Sequence, residues 1–267
     1  MPYARRQFRK ARKFIRRNVV QKAKRRYTNN RGNVRLGKVI SDVQYIKSAL
    51  NTERKHIEIT LNDNLPVSAI DMDPLGNLTG MYGPARPTRT HPVIYPLNLP
   101  VRGTAYNQRV GNQIKFTYAS IRFQVEKKNT QNMQSTLSWK AFLVWKKDGD
   151  TNLTMPDLFQ TDANGAYTPM CYTNHETFKQ FYRPKYLTKH GKFIDETGGN
   201  NHGFFAYNYP RMSQKLSVQT KFELGSDSVC TQMRPYLVFM SDDNQVHPTD
   251  TDHVDFTGTV RLSYVDN

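Results

Sequence analysis

The side chains whose type and spacing imply chemistry crowd into the first 41 residues. This stretch holds Arg5, Arg6, Arg9, Lys10, Arg12, Lys13, Arg16, Arg17, Lys22, Lys24, Arg25, Arg26, Arg31, Arg35 and Lys38, and the first carboxylate is Asp42. Cations packed this densely without counter-charges repel one another and bury no core, so the segment is expected to be a basic arm, disordered or partly helical, that waits for a polyanion. Each Lys or Arg set against a phosphate releases a condensed counterion, which makes binding strongly salt-dependent and nearly blind to sequence. Ten of the fifteen are Arg, whose planar fork can engage two phosphate oxygens at once. Tyr3, Phe8, Phe14 and Tyr27 add rings on which bases can stack. The fifteen cations are therefore the candidate nucleic-acid-binding residues. Two other readings of the same segment stay open. The run "KAKRR" (22–26) matches a nuclear-import signal, which would make import machinery a partner. Phe8, Ala11, Ile15 and Val19 share one helical face, as in a basic helix lying on an anionic membrane.

The rest of the chain offers no catalytic or metal-binding pattern of comparable strength. "GNVRLGKV" (32–39) has the G-x-x-x-x-G-K spacing of a phosphate loop, but Val39 stands where Mg²⁺ needs a hydroxyl and no apolar strand precedes it, so it reads as a hinge. The histidines (56, 91, 175, 190, 202, 247, 253) form no H-x-x-x-H pair, and the two cysteines, Cys171 and Cys230, are too few and too far apart in sequence to suggest zinc or a disulfide framework. Asp242, Asp243, Asp250, Asp252 and Asp255 cluster near the C-terminus without the spacing of a Ca²⁺ loop. They read as a solvated loop, with a weak metal site or a contact to the basic stretch 183–192 of another subunit as the alternatives. The expectation is a protein without enzymatic activity or cofactor.

The elements that must present the basic segment have a different composition. Of 39 Lys and Arg and 22 Asp and Glu in the whole chain, residues 42–267 keep 24 and 22, so this body is close to neutral and is expected to lack the charge for a binding groove of its own. Its 226 residues suffice for one domain. The N-terminus has no apolar run of the secretory type, and the longest apolar runs, 141–145 and 236–240, are too short to span a bilayer.

Apolar residues in the body recur at period two, the mark of strands with one wet and one dry face. Examples are Ile57, Ile59 and Leu61; Leu216, Val218, Phe222 and Leu224; and Phe256, Val260, Leu262 and Tyr264. "WKAFLVWKK" and "PYLVFMSD" are apolar at nearly every position, as in strands covered on both faces, and place Trp139 and Trp145 in the core. In 113–126 the apolar parity changes from Ile114, Phe116 and Tyr118 to Ile121, Phe123 and Val125, which requires a β-bulge near Ala119–Ser120. The spacing predicts eight strands: 54–61, 113–126, 136–146, 179–187, 190–195, 214–224, 234–241 and 256–265. Seven prolines in 62–112 exclude central strands there and leave a long loop, with room for a short edge strand at "VIYPLNL". Residues 147–177, rich in Asp, Asn, Thr and Gly, form a second long loop. The fold class that follows is all-β, an eight-stranded antiparallel jelly-roll sandwich, with 1–41 as arm and 42–267 as the sandwich domain.

The order of these features resembles a known group. A basic start, "ERKHIEITL" (53–61) as first strand, the R-x-G-x-x-I pattern of "NQRVGNQIKFTYASIRFQV" (107–125) leading into a long strand, and the closing pair "RPYLVFMSD" (234–242) and "TGTVRLSYVDN" (257–267) together resemble the single jelly-roll capsid proteins of small circular single-stranded DNA viruses, the circovirus-like group. The resemblance implies a viral coat protein of the virion that assembles in the host nucleus as an icosahedral shell of about 60 copies, packages single-stranded DNA through the arm, meets an unknown host receptor, and uses 62–112 and 147–177 for attachment and subunit contacts. Fifteen cations on about 60 arms would supply about 900 positive charges, the order needed to offset a large share of the phosphates in a genome of roughly one to a few kilobases. A basic-arm nucleic-acid-binding protein that is not viral, of the ribosomal or single-strand-binding type, is the alternative reading.

Overall fold

The computed structural model describes residues 54–62, 65–66, 80–105, 107–128, 136–149, 152–174, 176–194, 206–226, 229–243 and 253–266. The strands, in chain order, are β1 (Arg54–Leu61), β2 (Leu65–Pro66), β3 (Tyr82–Gly83), β4 (Val93–Pro96), β5 (Gln113–Lys128), β6 (Thr136–Asp148), β7 (Phe181–Tyr182), β8 (Thr188–Ile194), β9 (Ala206–Asn208), β10 (Arg211–Phe222), β11 (Cys230–Ser241) and β12 (His253–Asp266). Helix is nearly absent among them: one four-residue turn, Met155–Leu158, and a 3-10 turn at Phe178–Gln180. Among the described residues no helix is long and apolar enough to cross a membrane.

The strands pair antiparallel in the order β1-β12-β5-β10, and β4 and β6 flank β11 with β7 and β8 on the far edge of β6. A short ladder between the ends of β10 and β11, Lys221 opposite Gln232 and Phe222 opposite Cys230, joins the two halves. Such an antiparallel sandwich, each half mixing strands from the beginning and the end of the chain, is consistent with a jelly roll.

Period-two alternation decides what the sandwich encloses. In β10, Met212, Leu216, Val218 and Phe222 are buried while Arg211, Lys215 and Lys221 are exposed. The interior is aromatic: Phe123 and Phe256 from the first half meet Trp139 and Phe239 from the second, with Trp139 edge-on to Phe123 and Phe256 at 5.8 Å and Phe239 4.6 Å from Phe256. Both tryptophans are buried, as their position in the sequence implied. Trp139 lies so close to β8 that a Cβ at Gly191 would fall 2.4 Å from its ring. The doubly apolar strands are covered on both faces. Ala141, Leu143, Trp145, Leu237 and Phe239 join the inter-sheet core, while Phe142, Val144, Tyr236, Val238 and Met240 pack under Leu153, Met155, Leu158 and Phe159. The described part of the 147–177 loop therefore seals the second half of the sandwich. The apolar residues spread thinly through it do what a helix or third layer does elsewhere.

Several expectations are corrected in detail. The bulge exists but sits earlier: Thr117 and Tyr118 both face outward and Ala119 is buried, so the parity changes at 117–118, where the ladders to β10 and β12 both shift register. The strand expected at 179–187 is only Phe181–Tyr182; it and β8 flank the same edge of β6 as two pieces of one interrupted strand, broken at Pro184, which has no N–H to donate, by a turn closed by Leu187 N–H to Pro184 O. The edge strand in the proline-rich stretch is present as β4, which among the described residues pairs with β11 alone and so tolerates Pro96 at its end. Leu224 lies beyond the end of β10 and is exposed.

The R-x-G-x-x-I pattern turns out to be an anchor. Arg109 is fully buried; its Nη1 donates to Gly111 O at 2.5 Å, its Nη2 to Ser226 O at 2.6 Å, and its guanidinium lies 3.8 Å from the centre of the Phe222 ring. It thus ties the loop before β5 to the turn between β10 and β11, and Ile114 opens β5 in the core. Nearby, Lys55 at the start of β1 donates to Gln108 O (2.9 Å) and to Asp266 Oδ2 (3.0 Å) at the end of β12, and Val110 N–H shares that carboxylate oxygen (3.2 Å). The pair is little exposed, so its main effect is to fix where the first and last strands meet; a buried ion pair adds little net stability.

Candidate nucleic-acid interface

The fifteen candidate residues from Arg5 to Lys38 lie outside the described residues, as does the 32–39 hinge. What the structure does place is the surface of the sandwich, and there the near-neutral total conceals a partition. Alternation sends Arg54 and Glu58 of β1, Arg261 of β12, Lys115, Arg122 and Glu126 of β5, and Arg211, Lys215 and Lys221 of β10 to the outer face of the first half. Seven cations thus share a face with two carboxylates, and one of these, Glu58, is already bonded to Arg261 at 2.9 Å. Asp255, at the same parity, is buried and paired with Arg86 at 2.9 Å. Most of the remaining outward positions are Ser, Thr and Gln, which hydrogen-bond to phosphate and sugar without competing for charge. A near-neutral body therefore does not exclude a cationic face: net charge sums over all directions, whereas a ligand meets one face.

The acidic C-terminal stretch does not read as a simple solvated loop. Asp242 Oδ1 accepts Ser138 N–H at 2.6 Å, Asp243 is buried, and Asp255 holds Arg86. Among the described residues no cluster of His, Cys, Asp and Glu could hold a metal ion. Residues 244–252, which carry Asp250 and Asp252, lie outside them. Cys171 is half-buried and Cys230 buried, and they are not bonded to each other.

A second basic cluster lies where the 152–174 segment meets the other half. Lys140 Nζ stands 4.8 Å from the centre of the Phe159 ring and donates to Pro169 O at 3.4 Å, and the Arg183 guanidinium lies 5.4 Å over Phe142. Burial, reinforced by the charge of Arg183, lowers the Lys140 pKa to about 8. The unfolded chain, with an ordinary lysine near 10.5, binds this proton more tightly than the folded one, so between about pH 8 and 10.5 the folded state gains stability as pH rises. Urea midpoints measured from pH 7.5 to 10 should show that rise in the parent chain and a flatter profile in Lys140→Met; parallel profiles would refute the assignment. The cluster holds the 152–174 segment against β6.

No protein-family model matches the chain, and no curated protein matches it. Among solved structures it is similar to VP1 of Trichodysplasia spinulosa-associated polyomavirus in complex with GM1 oligosaccharide, at 13% identity over 80% of this chain and 92% of that chain, with a TM-score of 0.20. It is also similar to an unassembled pentamer of Merkel cell polyomavirus VP1 (12% identity, 80% and 93% covered, TM-score 0.21) and to the heated full particle of Israeli acute paralysis virus (8% identity, 81% and 68% covered, TM-score 0.21). TM-scores this low carry no argument about fold or function, so the assignment rests on the chain's own residues.

Sequence reasoning missed the cationic face, although its signal was present. "RMSQKLSVQTK" places Arg211, Lys215 and Lys221 at one parity and the apolar residues at the other. What it could not supply was that Lys115, Arg122 and Arg261, far away in the chain, stand on neighbouring strands at the same face.

Proposed function

We propose that this chain is a viral capsid protein that assembles as a closed icosahedral shell and packages single-stranded DNA through Arg5–Lys38. The observation that carries the reading is the division of charge: fifteen cations and no carboxylate precede Asp42, and the remaining 226 residues are nearly balanced. A segment of that kind binds phosphate by counterion release, while a β-sandwich without large self-repulsion can tile against its own copies. In this reading residues 42–267 are an eight-stranded jelly-roll shell domain, about 60 copies close the shell, and the "KAKRR" run brings the protein into the host nucleus for assembly before it resides in the virion. The role is structural, with no catalytic step and no cofactor. The order of features that resembles circovirus-like coat proteins supports DNA over RNA as cargo.

The test is negative-stain microscopy of the purified full chain with single-stranded DNA. Shells of uniform diameter whose contents are digested by DNase and not by RNase after opening are the expected result. A soluble monomer that binds oligonucleotide in a salt-sensitive way but never assembles would transfer the assignment to a basic-arm protein of the ribosomal or single-strand-binding type.

A further inference from the structure

On the cationic face, β5, β12 and the turn entering β10 enclose an open groove of about 520 Å³. We propose that this groove holds one nucleotide of a single-stranded nucleic acid, with Arg122 and Arg211 on its phosphate and the Tyr209 ring against its base. The inference rests on the reading of the chain as a nucleic-acid-binding protein and adds a site in the sandwich to the one expected in the arm.

The first argument is a like-charge pair. Arg122 and Arg211 are directly opposite each other across the β5–β10 ladder, and both are exposed. Like charges in that relation are destabilising. Among the described residues neither is held by a carboxylate, whereas Lys55, Arg86 and Arg261 on the same half all are. Two arginines opposite each other on one face, with no carboxylate on either among the described residues, suit a bridging phosphate. The second argument is the aromatic rim. Tyr209 is 70% exposed and stands beside Pro210, whose carbonyl accepts Phe123 N–H at 3.2 Å, so the turn that carries the ring is tied to β5. An exposed ring on a tethered turn next to a cationic track is an arrangement by which single strands are gripped irrespective of sequence. The third is the floor. At Gly258 the backbone of β12 runs so close to β5 that a Cβ would lie 2.2 Å from Arg122 O. Thr257, Thr259 and Gln124 line the same groove and offer polar groups for sugar and base edges. Lys215 and Arg261 continue the positive track along the strands.

The experiment uses the full chain, a fluorescent single-stranded oligothymidylate and, in parallel, inorganic polyphosphate, across a KCl series. Tyr209→Ala is expected to weaken oligothymidylate binding about tenfold and leave polyphosphate binding and the salt slope unchanged, while Tyr209→Phe retains the parent affinity. The double variant Arg122→Gln with Arg211→Gln should lower the salt slope by about 0.7, the share of one phosphate, and keep or raise the urea midpoint, because it relieves a repulsion. With bromodeoxyuridine in the oligonucleotide, irradiation should crosslink the peptide containing Tyr209. Parent-like binding by both variants, a Tyr209→Ala loss equal for polyphosphate and oligothymidylate, or crosslinks confined to residues 1–38 would overturn the groove and leave the arm's role intact. Failure of the parent chain to bind oligothymidylate at low salt would overturn both.

Discussion

Removing residues 1–38 is expected to lower affinity for single-stranded DNA by about 10³-fold or more near 0.1 M salt and to flatten its salt dependence. The full chain offers fifteen cations in that stretch and seven on the outer face of the sandwich. Each phosphate neutralised on a single strand contributes about 0.7 to the slope of log K against log salt. Loss of the larger set should therefore remove well over half of the slope, with a shallow remainder left to the sandwich face. The truncated body should still fold, since Leu61, Phe116, Phe123, Trp139, Trp145, Phe239, Phe256 and Tyr264 form a core entirely within the described residues. Anisotropy titrations over a KCl series, with circular dichroism to confirm folding, decide the matter. A truncated body that binds within tenfold of the full chain at moderate salt would contradict the assignment of Arg5–Lys38 as the main binding segment. Strong preference for one oligonucleotide sequence would do the same.

The second large effect is on stability. Arg109→Ala should destabilise the sandwich by about 2–4 kcal/mol, because it leaves two half-buried carbonyls without their charged donors and a void beside Phe222. For a domain of this size each kcal/mol moves the thermal midpoint by about 2–4 °C, so a drop near 10 °C is the expected reading. Arg109→Lys keeps the charge but can span only one of the two carbonyls, Gly111 O or Ser226 O, and should fall between parent and Ala. A shift below about 2 °C for the Ala variant would show that the loop before β5 is held by other contacts. Nucleic-acid affinity of the Lys variant should be unchanged, since Arg109 is fully buried and offers no surface to a ligand.

The basic arm and the Arg109 tie differ in how much of each the sequence alone reveals. The arm's chemistry depends only on local composition: like charges adjacent in sequence are adjacent in space whatever the chain does elsewhere. Strand patterning is local in the same sense, which is why β1, β5, β10 and β12 lie where alternation put them, and β6 and β11 where continuous apolar runs did, within a few residues. Even the bulge in β5 was implied, because an inward set cannot change parity without an extra residue. Its location was not, because Tyr118 is apolar enough to sit on either side and only the ladders to β10 and β12 turn it outward.

What the residues determined by themselves, then, is the existence of an uncompensated cationic segment, an antiparallel β body and most of its strands. Tertiary structure decided which distant strands became neighbours. That choice turned Arg109 from a motif letter into a buried tie between two loops, made the 152–174 segment a cover for Phe142 and Val238, and set Arg122 against Arg211 beside Tyr209. The physical reason is that side-chain alternation is dictated residue by residue, while the pairing of strands far apart in the chain is a collective choice of the whole core, paid for in loop-closure entropy and invisible to any single segment.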